Sequence, residues 1–207
     1  MKGKGSIVGR WIVAILALGA LGAVFIGMLI DNMPKGTPQK VEGYTPWEKE
    51  TIALVSTLPV QDGGRIKPLS TYAGFTMLGL HGARSMKVEG EGGGTFKIKP
   101  TEWMMDTLFR PDLAVDLPTF RVDNSKVLEA IGVEPKGRRD RYSYNEIEPG
   151  YDELIMLAKS YQPIAKKERD PVQQQTIDLA YNIRHYESLL GYFGFARSGI
   201  VLRGSGG

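Results

Sequence analysis

The chain opens with an unbroken apolar run. The twenty residues from Trp11 to Ile30 (WIVAILALGALGAVFIGMLI) contain no charge. At about 1.5 Å per residue, a helix of this length matches a hydrocarbon core of roughly 30 Å. The run therefore predicts one transmembrane anchor at 11–30. It is longer than the roughly 7–15 apolar residues of a cleaved signal peptide, which argues for a retained anchor. Downstream the apolar positions become periodic and short-range. They predict an α+β fold: a single N-terminal transmembrane helix, then a small mixed domain with short hairpins and a helical C-terminal third. The expected divisions are a tail at 1–10, the anchor at 11–30, a linker at 31–44, a mixed region at 45–145, a helical region at 146–195 and a flexible tail at 196–207.

Local signals place the elements. Thr45-Pro46-Trp47-Glu48 has the form of a capping box with proline at the first helical position, predicting a helix to about Ser56. Leu58–Gln61 and Arg65–Lys67 flank Asp62-Gly63-Gly64, a sequence suited to a tight hairpin turn. Pro68 should end the second strand, and Ser70 or Thr71 should cap a helix through Leu80. Met86–Glu89 and Thr95–Lys99 predict a second hairpin around Gly90–Gly94. Pro100-Thr101 opens a helix, Thr119–Val122 is a short strand, and Asn124 or Ser125 caps a helix to Ile131. Helices at 151–161 and from Asp170-Pro171 to about Phe193 follow. In the last, Ile177, Ala180, Tyr181, Arg184, Leu189 and Phe193 suggest a packed face.

Charge narrows the partners. The chain carries 26 basic and 23 acidic residues. Lys2, Lys4 and Arg10 lie before or at the edge of the apolar run, so residues 31–207 hold 23 of each sign and are formally neutral. A neutral domain has no bulk attraction for phosphate backbones, which excludes a charge-driven nucleic-acid binder. The basic tail places the N-terminus in the cytoplasm and the main domain outside it, in the periplasm of a bacterial inner-membrane protein. There is no cysteine, hence no disulfide, thiolate site or C-x-x-C-H haem attachment.

Candidate sites are weighed against plainer roles. Gly19, Ala23 and Gly27 form a small-residue stripe on which a second transmembrane helix could pack. His81 and His185 have no partner cluster, so structural roles outweigh metal or haem ligation. Gly90–Thr95 lacks the lysine and following helix of a phosphate loop. Glu146, Glu148, Asp152 and Glu153 lack the spacing of a calcium loop and suit a helix N-terminus. Lys136, Arg138, Arg139 and Arg141 form a basic loop. No nucleophile elbow or zinc-protease motif occurs. No catalytic residue, metal or cofactor is expected.

Leu58–Ala73 (LPVQDGGRIKPLSTYA) carries the most specific signal. It resembles the LPVQ-x-GR-x-KPL-x-T segment of the System II cytochrome c biogenesis family, large bacterial haem-handling membrane proteins. The matching positions are Pro59, Val60, Gln61, Gly64, Arg65, Lys67, Pro68, Leu69 and Thr71. Similarity extends to Trp103 with Phe109-Arg110-Pro111, and to Arg141-Tyr142-Ser143-Tyr144, covering roughly residues 45–160. The family's multi-span core, Trp-rich segment and external histidines are missing. The resemblance thus implies its extracytoplasmic accessory region alone, without lyase activity. The expected function is to assist a cytochrome c maturation complex by binding and positioning, with a multi-span membrane protein as partner alongside the bilayer. Gln61, Asp62, Arg65 and Lys67 are the candidate partner-binding residues. The alternative is an accessory or scaffold subunit of a respiratory or photosynthetic membrane complex. An enzyme such as an envelope hydrolase is a third class, which no residue pattern supports.

Overall fold

A computed structural model describes residues 4–31, 38–136 and 140–194. The chain divides into two units, Met1–Thr37 and Pro38–Gly207. The first contains helix α1, Lys4–Asp31. Its described side chains run from Trp11 to Val24 and are exposed. Among the described residues no helix is long and apolar enough to cross a membrane. This finding overturns the expected single-pass anchor. The inner-membrane, N-in and periplasmic placement rested on that anchor and falls with it.

The second unit mixes short strands with helices. Strand β1 (Gln39–Lys40) leads to α2 (Lys49–Ser56), the hairpin β2 (Pro59–Asp62) and β3 (Arg65–Pro68), and α3 (Leu69–His81). A second hairpin, β4 (Met86–Glu89) and β5 (Thr95–Ile98), precedes α4 (Pro100–Phe109) and the single turn α5 (Pro111–Ala114). Then come β6 (Phe120–Val122), α6 (Ser125–Ala130), β7 (Asp140–Tyr142), α7 (Tyr144–Ile147), α8 (Tyr151–Tyr161) and α9 (Pro171–Gly191). β1 runs parallel to β4, with Gln39 opposite Val88, and β4 pairs antiparallel with β5. β6 pairs with β7, Phe120 opposite Tyr142.

Two helices show how sequence makes the framework. Asp170 accepts hydrogen bonds from the Val172 and Gln173 backbone amides, its own amide donates to Gln173 Oε1, and Pro171 takes the first position of α9. The reciprocal cap satisfies donors that a helix start would otherwise leave bare. The buried stripe of α9 is Thr176, Leu179, Ala180, Ile183, Tyr186 and Leu189, one helical face. Of the packed, partly exposed face expected, Ala180 and Leu189 are buried, Ile177 and Phe193 pack partly buried against the core, and Tyr181 is exposed. α2 differs from expectation as well. It begins at Lys49 after Glu48, which makes no side-chain cap, because Trp47 is turned inward toward α4. Likewise α3 starts directly after an extended Pro68 without a side-chain cap from Ser70 or Thr71.

The core is aromatic at its centre. Trp103, Phe120, Tyr142 and Tyr186 are fully buried. Tyr186 stacks on Trp103 at 6.3 Å between centroids and meets Phe120 edge-on at 5.3 Å. The buried polar tips are hydrogen-bonded: the Tyr186 hydroxyl donates to the Ala114 carbonyl at 2.7 Å, the Trp103 indole to Thr119 Oγ1 at 3.2 Å, and the Tyr142 hydroxyl accepts from the Lys136 amide at 2.6 Å. Large apolar area with satisfied polar ends fixes α4, β6 and α9 together.

Candidate functional site

The hairpin β2–β3 turns through Gly63 and Gly64, with φ of 58° and 75°. Two consecutive left-handed residues define the turn whose twist matches paired strands, and glycine adopts it without a Cβ penalty. The register sets Val60 opposite Lys67, Gln61 opposite Ile66 and Asp62 opposite Arg65. Because side chains alternate across a strand, the four candidate residues divide between two faces. Gln61 shares its face with Pro59, Ile66 and Pro68, all exposed. Asp62, Arg65 and Lys67 share the other with Val60, which packs against the core.

On that second face Lys67 Nζ donates to Asp62 Oδ2 at 2.8 Å. The pair neutralises itself and removes two of the four groups as readily available contacts. Arg65 is exposed, and neither a hydrogen bond nor an ion pair engages it among the described residues. The Leu69 amide donates to the Leu58 carbonyl at 2.8 Å, fastening the base of the hairpin to the start of α3. Tyr72 stands beside this junction. Burial pushes its hydroxyl pKa up, and the nearby Asp62 carboxylate adds to the effect. The hairpin is thus anchored through Val60, Leu69 and the helix behind them, while Gln61 and Ile66 on one face and Arg65 on the other are exposed.

The other candidates resolve into mostly structural roles. His81 is buried at the end of α3, its Nδ1 2.8 Å from the Pro118 carbonyl. Burial, with the Arg141 charge, lowers its pKa to about 4, so it is neutral and adds no charge to the helix end. His185 is half-buried in α9. Among the described residues no group of three His, Cys, Asp or Glu side chains could hold a metal ion. Glu146 closes a capping box with Ser143, accepting from its amide at 2.8 Å, and pairs with Lys136. Arg141 Nε donates to the His81 carbonyl at 3.3 Å, while Arg138 and Arg139 lie outside the described residues. Gly19 and Ala23 share a face of α1, with open space around Gly19. The packing role given to Gly19, Ala23 and Gly27 required a membrane span, which the described residues do not provide.

A second polar constellation was not singled out from the sequence. Asp106, 0% exposed in α4, accepts from the Trp47 indole at 2.7 Å through Oδ1, and Arg110 Nη1 lies 3.6 Å from the same oxygen. Arg110 also covers the Trp47 ring at 3.6 Å and donates to the Thr45 carbonyl at 2.7 Å. Oδ2 of Asp106 has no hydrogen-bond partner among the described residues. Burial pushes the carboxyl pKa up to about 7 against the opposing pull of Trp47 and Arg110. Nothing in the spacing of Trp47 and Asp106, 59 residues apart, signals this contact. A groove of about 410 Å³ lies between the ends of α3 and α9. Many of its polar groups already serve one another: Arg121 with Asp123 at 2.8 Å, Gln174 with Asp178 at 2.8 Å, and Gln175 with the Asn124 amide.

Comparison of the chain with protein-family models, curated proteins and solved structures gives no match.

Proposed function

We propose that this chain is an accessory protein that assists a cytochrome c maturation complex by binding and positioning a partner, with no chemistry of its own. Two things support the reading. One is the resemblance of Leu58–Ala73 to the System II biogenesis segment. The other, which carries it, is the exposed Arg65 without an internal acid, on a hairpin braced from behind. A planar guanidinium on a rigid support can hold a carboxylate bidentately, whether from a protein side chain or a haem propionate. Internal pairing was the competing role for Arg65, and the described residues give it no such partner.

Arg65→Ala tests the proposal. The variant should melt within a degree or two of the parent, since a solvated residue adds little to stability. Complex formation and the yield of matured cytochrome c should both drop. An unchanged yield with a folded variant would refute the reading.

A further inference from the structure

We infer that residues 41–48 form a proton-controlled strap, closed on α4 while the Asp106 carboxyl beneath it carries a proton and released when that carboxyl is ionised. The strap involves no residue of the Arg65 hairpin, so it goes beyond the reading above and does not depend on it.

The strap is held at few points. Val41, Tyr44 and Trp47 turn inward, while Glu42, Gly43, Thr45, Pro46 and Glu48 are exposed. Val41 and Tyr44 are buried, and Tyr44 meets the Phe96 ring at 5.4 Å. Trp47 reaches α4 through its indole bond to Asp106 and lies edge-on to Phe109 at 6.5 Å. Backbone support is thin: β1 pairs with β4 over two residues, and the Val41 amide adds a bond to the Glu89 carbonyl. Among the described residues, two buried side-chain atoms have no hydrogen-bond partner, Gln39 Oε1 and Asp106 Oδ2. The first lies at the root of the strap and the second beneath Trp47. Buried polar atoms are as a rule satisfied, so this is the enclosed segment whose local opening relieves the most.

Ionisation tips the balance toward release. Arg110 Nη1 stands 3.6 Å from Asp106 Oδ1 but donates to the Thr45 carbonyl at 2.7 Å, with its guanidinium over the Trp47 ring. A carboxylate draws a guanidinium into a paired fork, which takes Arg110 away from both of its strap contacts. The indole bond and Arg110 favour the charged form. Enclosure, with Glu102 one turn back, opposes it and prevails, so the carboxyl titrates at about 7 instead of 3.8. The other groups around α4 do not interfere. Burial holds the Tyr44 and Tyr186 hydroxyls above their ordinary range. Lys49 and Glu50 of α2 and Asp112 of α5 are exposed. α3 has no Asp, Glu, Lys or Arg, and its His81 is neutral above about 4. Once the strap is released the carboxyl meets water and its pKa returns toward 3.8. The closed form therefore holds the proton more tightly. Its advantage is complete below 3.8 and is lost as pH rises through about 7.

Hydrogen exchange measured by NMR on the full chain tests the strap, with rates corrected for the intrinsic effect of pH. The strap reporters are the Val41 amide and the Trp47 indole N–H. The Ile183 amide, in the buried face of α9, reports global opening. Between about pH 5 and about pH 7, protection of the strap reporters should fall roughly tenfold per pH unit, then level off above about pH 8. Ile183 should stay nearly flat up to about pH 6.5, because His81 offsets Asp106 when the whole chain unfolds. Asp106→Asn keeps an acceptor for the indole and should flatten the strap profile. Trp47→Phe removes the indole donor and should lower Val41 protection at every pH. Strap protection that ignores pH, or that follows Ile183 throughout, would overturn the inference. So would a slope that persists in Asp106→Asn, or Val41 protection untouched by Trp47→Phe. The profile of the unaltered chain decides the matter even where a variant does not fold.

Discussion

The hairpin β2–β3 and the Trp47–Asp106–Arg110 group use similar side chains to opposite ends. The hairpin looks densely polar in sequence, but its density is partly self-cancelling: Lys67 meets Asp62, and only Gln61 and Arg65 are left facing water. The Asp106 group looks ordinary in sequence, yet it buries a carboxyl beneath an indole and a guanidinium and leaves one oxygen without a partner. Polarity becomes available for recognition where the fold leaves a charge uncompensated at the surface. The same polarity becomes a structural liability where the fold encloses it.

The largest expected contrast lies between core and hairpin. Tyr186→Ala removes a fully buried ring that touches Trp103, Phe120 and Tyr144. It should cost about 3–5 kcal/mol in urea unfolding. Ile66→Ser, on the open hairpin face, should stay within about 0.5 kcal/mol. A large loss from Ile66→Ser would show that the hairpin face is covered within the chain.

Next is pH. The Asp106 carboxyl holds its proton more tightly folded, at about 7, than its ordinary 3.8. Stability from this group is present at low pH and falls as pH rises through that window. His81 acts in reverse: its pKa of about 4 folded lies below the ordinary 6.5, so stability falls as pH drops from 6.5 toward 4. Asp106→Asn keeps an acceptor for the Trp47 indole and removes the charge. Between about 4 and 6.5 the two groups offset each other in the parent, so Asp106→Asn should uncover a fall in melting temperature as pH drops through that range. A melting-temperature profile between about pH 4 and 7 left unchanged by Asp106→Asn would refute this account of the carboxyl.

Two glycines of the α3 end sharpen the same contrast on a smaller scale. Gly82 has φ of 75°, and an added Cβ would come within 2.5 Å of Arg121 Cδ. Gly82→Ala should destabilise by about 1–2 kcal/mol. Gly79→Ala, in open space on a helix, should stabilise by up to about 1 kcal/mol. The smallest effect belongs to the Lys67–Asp62 pair. It is partly solvated, so Lys67→Ala should cost below about 1 kcal/mol, less in high salt. All are readable in denaturant titrations.

By itself the sequence determined the hairpin turn at Gly63-Gly64, the second hairpin, the starts of α4 and α9, and the neutrality of residues 31–207. These depend on neighbours in the chain: a cap reaches three residues, a turn needs two glycines, and charge is a count. It also singled out Arg65, for the planar fork that can hold a carboxylate bidentately. The tertiary structure decided the rest. Trp47 forms no part of a capped helix start because Asp106, far away in sequence, accepts its indole proton. The face expected for α9 included the exposed Tyr181 and left out the buried Tyr186, a distinction set by where α4 and β6 lie. The division of Gln61, Asp62, Arg65 and Lys67 between two faces follows from strand register. Which of their charges remains free follows from a 2.8 Å ion pair that exists only once the strands have paired.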